Sequence, residues 1–473
     1  MGIETVLGFG VLSTAVRLVL HGKVREWFLF FASLLAVFWL QPELPIRGLD
    51  FWLPLLAVGL AVIGWVLTSL PEERWTRDNA STAATAAVLV ILLALTRYTA
   101  LEGVLSPSQP PPLEWVLAAI GFIAGVNFLF AWRSKSRLGL GLAIGLLILI
   151  LLVIKTPTWT MQVSIWIRGL VGQGTANAGP LDVRWLGFSY LAFRLIHTLR
   201  DRQAGRLPGV NLREYLIYLL FFPSFTAGPI DRLERFQKDL RAAPGPAAAD
   251  LGEGARRLAL GLVKKFILAD GLAFMAMNST NAVLVKGAGW AWVLLYAYTL
   301  QIFFDFSGYT DIAIGLGRIL GFHLPENFNG PYLKRNLTLF WNSWHITLTA
   351  WFRGYFFNPL TRSLRKSRWK LSPVLVLLLV QTSTMVLIGM WHGVSWNFLI
   401  WGVWHGAGLF VQNRWSDWVG PRLGTWGERP VQAGLLTAGG WLLTFQYVSL
   451  GWVWFALPAP EVSMRFLRVL MGQ

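Results

Sequence analysis

Long apolar runs separated by short charged loops set the rhythm of this chain. Residues 51–70 and 139–154 contain no charged side chain. A helix that crosses a bilayer needs about 20 mainly apolar residues. Such segments recur near 3–20, 26–40, 51–70, 80–100, 113–132 and 139–154 and again from residue 185 onward, about twelve in all on that criterion. The pattern predicts an all-α polytopic membrane protein with roughly 11–14 transmembrane helices. The first run, residues 2–20, has no convincing small-residue cleavage site and reads as a retained helix.

The loops give an orientation. Those at 21–25, 74–77 and 133–137 are basic, whereas 41–50 and 102–112 between them are neutral to acidic. Basic loops stay on the cytoplasmic side, so the N-terminus is expected outside the cell, and 156–184 becomes an outer loop. Residues 200–213 and the strongly basic 361–370 return to the inside. Residues 215–229 break the alternation. They are apolar but short, have basic flanks on both sides, and contain Pro223 and Gly228-Pro229. This reads as a re-entrant or broken segment, which lipid tolerates only where protein or a cavity surrounds it. Further runs are expected over 290–320, 337–357, 371–391, 395–411 and 431–457, followed by an amphipathic tail at 458–473.

Composition sharpens the class. Of 473 residues 55% are hydrophobic and only 14% are charged, well below the roughly 25% of soluble domains. The mean hydropathy is +0.53. No soluble domain of any size and no internal repeat is visible. The net charge of +17, from 41 basic and 24 acidic residues, fits basic loops against anionic lipid. It is spread over short loops, which argues against nucleic acid. The absence of cysteine excludes disulfides, a cysteine nucleophile and thiolate metal sites.

Two histidines stand out. His345 lies in Phe340-Trp341-Asn342-Ser343-Trp344-His345, and His392 in Gly389-Met390-Trp391-His392-Gly393. Ionisable groups at membrane depth are costly and tend to mark function, and a neutral imidazole is suited to accepting a proton near neutral pH. Each also has a plainer reading as a structural histidine bonded to backbone. Asn342, Trp344 and Trp391 lie nearby in sequence and can donate hydrogen bonds to a developing oxyanion. Asp305, Ser307 and Tyr309, in Phe304-Asp305-Phe306-Ser307-Gly308-Tyr309, and Asn397 supply polar lining. Asp305 can shape the site or pair with a buried arginine such as Arg194 or Arg353. His405 reads more readily as packing at a helix contact than as chemistry. The histidines have no accompanying carboxylate or cysteine at a metal-binding spacing. Arg256, Arg257, Lys264 and Lys265 flank an apolar octet; one helical face of it can meet phosphates, though snorkelling to the lipid surface is the commoner use.

From Trp185 to Leu457 the chain resembles the membrane-bound O-acyltransferases, and most of all their bacterial branch of alginate O-acetylation and teichoic acid D-alanylation. The resemblance rests on Gly187-Phe188-Ser189-Tyr190, on Phe221-Phe222-Pro223 followed by Ala227-Gly228-Pro229-Ile230-Asp231-Arg232, and on the block around Asp305. It continues in Pro325-Glu326-Asn327-Phe328-Asn329, in the two histidine motifs and in Trp401-Gly402-Val403-Trp404-His405-Gly406. It implies helices around a central passage, with residues 1–184 carrying extra N-terminal helices, 185–457 the catalytic core and 458–473 the tail. It also implies acyl transfer, with His392 at the family's near-universal histidine and His345 at its second polar position. No bound cofactor is expected. The donor would be acetyl-CoA or an acyl-phosphopantetheine carrier protein on the cytoplasmic side, and the acceptor a hydroxyl of an extracytoplasmic glycan, polymer or partner acyltransferase. Three departures stand out: the late start at Gly187, Thr361-Arg362-Ser363-Leu364 in place of a glycine-rich stretch, and no arginine after Trp454-Phe455. The Gly228–Arg232 block looks more like the D-alanyl type and Asp311-Ile312-Ala313-Ile314-Gly315 more like the alginate type.

Acetyl transfer is the leading expectation and D-alanyl transfer the first alternative. A transporter predicts matching broken helices in inverted halves, which this sequence lacks. An idle scaffold would not require both histidines.

Overall fold

The computed structural model describes residues 2–101, 103–133, 137–242, 247–427 and 430–473. Its elements are helices, with one isolated antiparallel bridge between Phe328 and Trp344. Among the described residues, Leu49–Thr68, Arg77–Tyr98, Leu113–Ala131, Leu138–Lys155 and Pro373–His392 are long and apolar enough to cross a membrane. The all-α polytopic membrane fold expected from the hydropathy pattern is the fold that forms. Of the basic loop at 133–137, residues 134–136 lie outside the described residues, as do Glu102 of the acidic loop and 243–246.

The chain forms two compact units, Met1–Leu258 with Ile312–Leu324, and Ala259–Asp311 with Pro325–Gln473. The division expected at residue 184 falls inside the first. There the broken segment is the helix Leu212–Leu220, started by an Asn211 capping box and ended at Phe221. It is buried along its whole length. Such a helix end leaves carbonyls without partners, and Arg194, itself 2% exposed, supplies them. Its guanidinium donates to the Tyr218, Leu219 and Ser224 carbonyls and to the Ser224 hydroxyl. A buried cation is thus the price of a broken helix.

The expected outer loop at 156–184 contains the helix Pro157–Leu170, which buries Thr160, Ser164 and Arg168. Asp182 accepts from Ser164 at 2.6 Å, from Arg168 at 2.9 Å and from the Gly179 amide at 3.1 Å. Burial alone would raise the Asp182 pKa, but these donors outweigh it and hold the carboxyl below its ordinary value.

In the second unit, the helices Pro373–His392 and Trp396–Gly427 form a tight hairpin. A Cβ on Gly389 would lie 2.3 Å from the Phe398 carbonyl oxygen, and on Gly402 2.5 Å from the Val386 Cα. Gly406 sits against the Thr382 backbone in the same way. Gly402-Val403-Trp404-His405-Gly406 is thus a small-xxx-small contact of the kind that brings helices together in lipid. The tail is an amphipathic helix packed on the unit by its apolar face. Its helix Pro460–Leu470 buries Phe466 and Leu470 with Val453, Leu457 and Ala291.

Candidate active site

The stretch 337–357, expected as one membrane helix, is broken. The helix Leu337–Trp341, capped by Asn336, stops at Asn342. The Phe340 carbonyl accepts from both Ser343 and Trp344 amides, and Trp344 then pairs with Phe328. His345 follows in the left-handed region (φ 43°, ψ 54°) as the N-cap of Ile346–Phe352. A π-helical turn, Arg353–Phe357, comes next. His345 and Lys370 are the non-glycine residues with positive φ among the described residues. Such a conformation costs about 1–2 kcal/mol per residue and persists only where surroundings impose it.

Asn327 imposes it. It is fully buried. Its backbone carbonyl accepts from the Ile346 amide at 3.0 Å. Its Oδ1 accepts from the Thr347 amide at 3.1 Å and from the Thr347 hydroxyl at 2.7 Å, and lies 3.2 Å from His345 Nδ1. An oxygen already taking two donors is a carbonyl oxygen, so the His345 Nδ1 carries the proton and Nε2 the lone pair. Nε2 is buried, with no hydrogen-bond partner among the described residues. The Phe306 ring meets the imidazole edge-to-face at 4.7 Å. Asn327 was not among the residues picked from the sequence. The signal was present: an asparagine in Pro325-Glu326-Asn327-Phe328-Asn329, a polar break between two apolar segments.

His392 ends its spanning helix and is half-buried. Its ring lies 4.5 Å from Trp391, 4.7 Å from Phe455 and 6.1 Å from Trp401. The Trp391 indole also faces His345 at 6.2 Å. The two legs through that indole, 6.2 and 4.5 Å, bound the separation of the imidazole centres at about 11 Å. His405 is fully buried among Trp341, Trp401, Tyr447 and Trp452. Neither of its ring nitrogens has a hydrogen-bond partner among the described residues.

The remaining candidates separate by position. Trp391 stands between the histidines. Trp344 is a wall, 5% exposed, packed on Phe328, Phe340 and Trp452. Asn342 is exposed, and its Oδ1 accepts from Arg353 at 2.5 Å. Both line a cavity of about 280 Å³ with Trp341, Gln381, Thr384 and Ile388. Ile388 lies one turn before His392 on the same helix face. Ser307 is buried beside Phe306, its hydroxyl without a partner among the described residues, and Tyr309 is half-buried. Asn397 is spent on structure: its amide donates to the Leu457 carbonyl at 2.6 Å and to Ser463 at 3.0 Å, tying down the C-terminal helix.

Asp305 corrects one expectation, since it is half-exposed and its partner is neither Arg194 nor Arg353. Its partner is Lys265 at 2.5 Å, while Lys264 meets Asp311 at 2.6 Å. π-Helical winding over Val263–Ala269 turns both lysines toward one helix, at Gly308, where a Cβ would touch the Lys265 amide at 2.8 Å. Arg256 and Arg257 are paired with Glu253. These cations, which could have met phosphates, are therefore paired with acids.

The profile of the membrane-bound O-acyltransferase family matches residues 138–446. The probable alginate O-acetylase AlgI of Azotobacter vinelandii is 34% identical over 292 residues, 61% of this chain and 54% of that protein. The teichoic acid D-alanyltransferase of Streptococcus thermophilus is 31% identical over 247 residues, 51% and 60% of the two chains. That of Bacillus subtilis is 33% identical over 240 residues, 50% and 60%. The chain spans little more than half the length of each of these relatives.

Proposed function

This chain belongs to the membrane-bound O-acyltransferase family, and from that premise we propose that it transfers an acyl group, acetyl by preference, from a thioester to a hydroxyl of an envelope polysaccharide. The observation that carries the reading is the pair His345 and His392 flanking one indole inside a single compact unit. A hydroxyl attacking a thioester must lose a proton, and His392 is the group to take it. The hydroxyl oxygen bonds to the carbonyl carbon, the tetrahedral oxyanion collapses, the C–S bond breaks, and His392 returns the proton to the leaving thiolate. No cysteine exists to form an acyl-enzyme thioester, so direct transfer is the simplest course. His345 orients the reacting groups through Nε2. The Trp391 indole is placed to donate toward the oxyanion, and the cavity beside Asn342, Arg353 and Gln381 suits the amide-bearing arm of the donor.

On this reading the donor is acetyl-CoA or an acylated phosphopantetheine carrier, used on the side of the basic loop 361–370. The acceptor enters from the opposite side, where the N-terminus lies, either directly or through a partner acyltransferase. The longer match to the alginate proteins favours acetyl. The Gly228-Pro229-Ile230-Asp231-Arg232 block supports D-alanyl as the second reading.

The test is His392→Ala, expressed at wild-type level in cells that depend on this chain. Base-labile acetate on the envelope polysaccharide is expected to fall about 10²–10⁴-fold, with unchanged thermal unfolding in detergent. Wild-type acetylation by the folded variant overturns the assignment. Loss of ester-linked D-alanine in place of acetate selects the second reading.

A further inference from the structure

The acyl-transfer reading leaves the N-terminal spanning helices without a task, yet three of them line most of a half-open cavity of about 610 Å³. That is within the roughly 300–1,000 Å³ of sites that hold one small ligand. The space exists because small residues meet there. Ala83 and Ala87 of Arg77–Leu95 face Gly59 of Leu49–Thr68 and Ala124 of Leu113–Arg133. The rest of the wall is almost wholly aliphatic or aromatic, so water gains nothing by entering.

Its extent matches one leaflet. The lining runs from Leu55 to Val66, from Ala80 to Val90 and from Ile120 to Ala131 on the three helices. At 1.5 Å per residue each of these stretches is about 16 Å long, half of the roughly 30 Å hydrocarbon core. All three end at the same place, beside the basic loop 74–77. The polar lining gathers at that end: Arg74, Asn79 and Asn127, with the exposed Trp75 suited to the headgroup level. Arg74 donates to the Ser69 hydroxyl and to the Ser69 and Ala131 carbonyls. These acceptors fix the buried guanidinium at the mouth. Burial, and then the charge of Arg202, lower its pKa. The Asn127 Oδ1 is buried with no partner among the described residues, ready to accept from a hydroxyl.

We propose that this cavity binds one acyl chain of an anionic phospholipid from the leaflet on the side of loop 74–77, with the phosphate at Arg74. Length, sidedness and charge all select this occupant. A chain one leaflet long fills the slot, and a negative headgroup then sits at Arg74. The site is independent of the acyl-transfer assignment, and its test needs no enzymatic activity.

The experiment is native mass spectrometry of the full chain in mild detergent, titrated with phosphatidylglycerol or phosphatidylcholine of identical acyl chains. One phosphatidylglycerol should be retained per chain, about fivefold more tightly than phosphatidylcholine for one arginine contact. Ala87→Phe, which fills the slot, should lose it while keeping the wild-type circular dichroism spectrum. Should that variant fail to fold, a photoactivatable phosphatidylglycerol on the wild type decides the location. Crosslinks within 49–68, 77–95 and 113–133 support the site, and crosslinks confined to other helices overturn it. Equal retention of both lipids overturns the headgroup assignment. Lipid retained undiminished by a folded Ala87→Phe, or no lipid retained by the wild type, overturns the site.

Discussion

Replacing Asn327 by alanine tests how the site is held. Oδ1 serves the Thr347 amide, the Thr347 hydroxyl and His345 Nδ1, all buried. Each buried donor left without an acceptor costs about 1–3 kcal/mol. The Thr347 hydroxyl can rotate to another acceptor, but the Thr347 amide and the His345 ring N–H cannot. Two stranded donors give about 2–6 kcal/mol, or roughly 4–24 °C in the melting temperature of a unit of about 200 residues at 2–4 °C per kcal/mol. The variant also frees His345 from its left-handed conformation, whose cost of about 1–2 kcal/mol is no longer opposed. Acyl transfer assayed well below the melting point should therefore fall by at least tenfold, since a misplacement of about 1 Å can cost about a hundredfold. Asn327→Asp keeps the accepting oxygen and should recover part of the activity. The measurements are thermal unfolding in detergent and polysaccharide acetylation in cells. An Asn327→Ala protein that melts and acetylates as the wild type does refutes the tether.

Other outcomes follow from the same structure. Gly402→Ala forces a Cβ to within 2.5 Å of the Val386 Cα, and such overpacking should destabilise by about 1–3 kcal/mol and reduce transfer by displacing His392. A melting curve superimposable on wild type would show that the hairpin can open freely. Asp182→Asn should lower the melting temperature at neutral pH. Because the folded-state pKa is held below the ordinary ~3.9, that advantage is present above about pH 4 and is lost as pH falls through the lowered value; a gap constant from pH 7 to pH 3 contradicts it. With no native cysteine, Thr175→Cys should be labelled in intact cells by an impermeant maleimide and Ser363→Cys only after permeabilisation; the reverse pattern inverts the proposed orientation.

Hydropathy and loop charge made the fold class legible, because lipid forces every spanning backbone into helix. They exposed the break at 215–229, where proline and basic flanks violate the alternation. They did not expose the break at Asn342–His345. That run reads as one helix by its length despite Asn342, Ser343 and His345, and the interruption depends on a bridge to Phe328 and on the Asn327 side chain, both in the preceding segment. The two histidines were visible as costly residues in apolar context. Their meeting could be read only from chain direction: residues 337–357 run toward the basic loop 361–370 and residues 371–391 return from it. The partner of Asp305 was not legible, because Lys265 lies 40 positions away on another helix, and the spacing of Lys264 and Lys265 does not reveal that both meet the helix carrying Asp305 and Asp311.

The two histidines are positioned by different physics, and this bears on how such a site can work in a bilayer. His345 is set by hydrogen bonds, in a backbone conformation that those bonds must hold. His392 is set by packing: its helix cannot slide past its neighbour, because Gly389, Gly402 and Gly406 have already brought the backbones into contact. Apolar burial alone cannot do this in lipid, where tails compete equally for any greasy surface. Close backbone packing and buried hydrogen bonds remain effective there, and each acts over less than one helix turn. A proton transfer needs its groups placed to a fraction of an ångström. The chain therefore sets glycines and buried amides beside the histidines, and leaves the bulk of its apolar surface to face lipid.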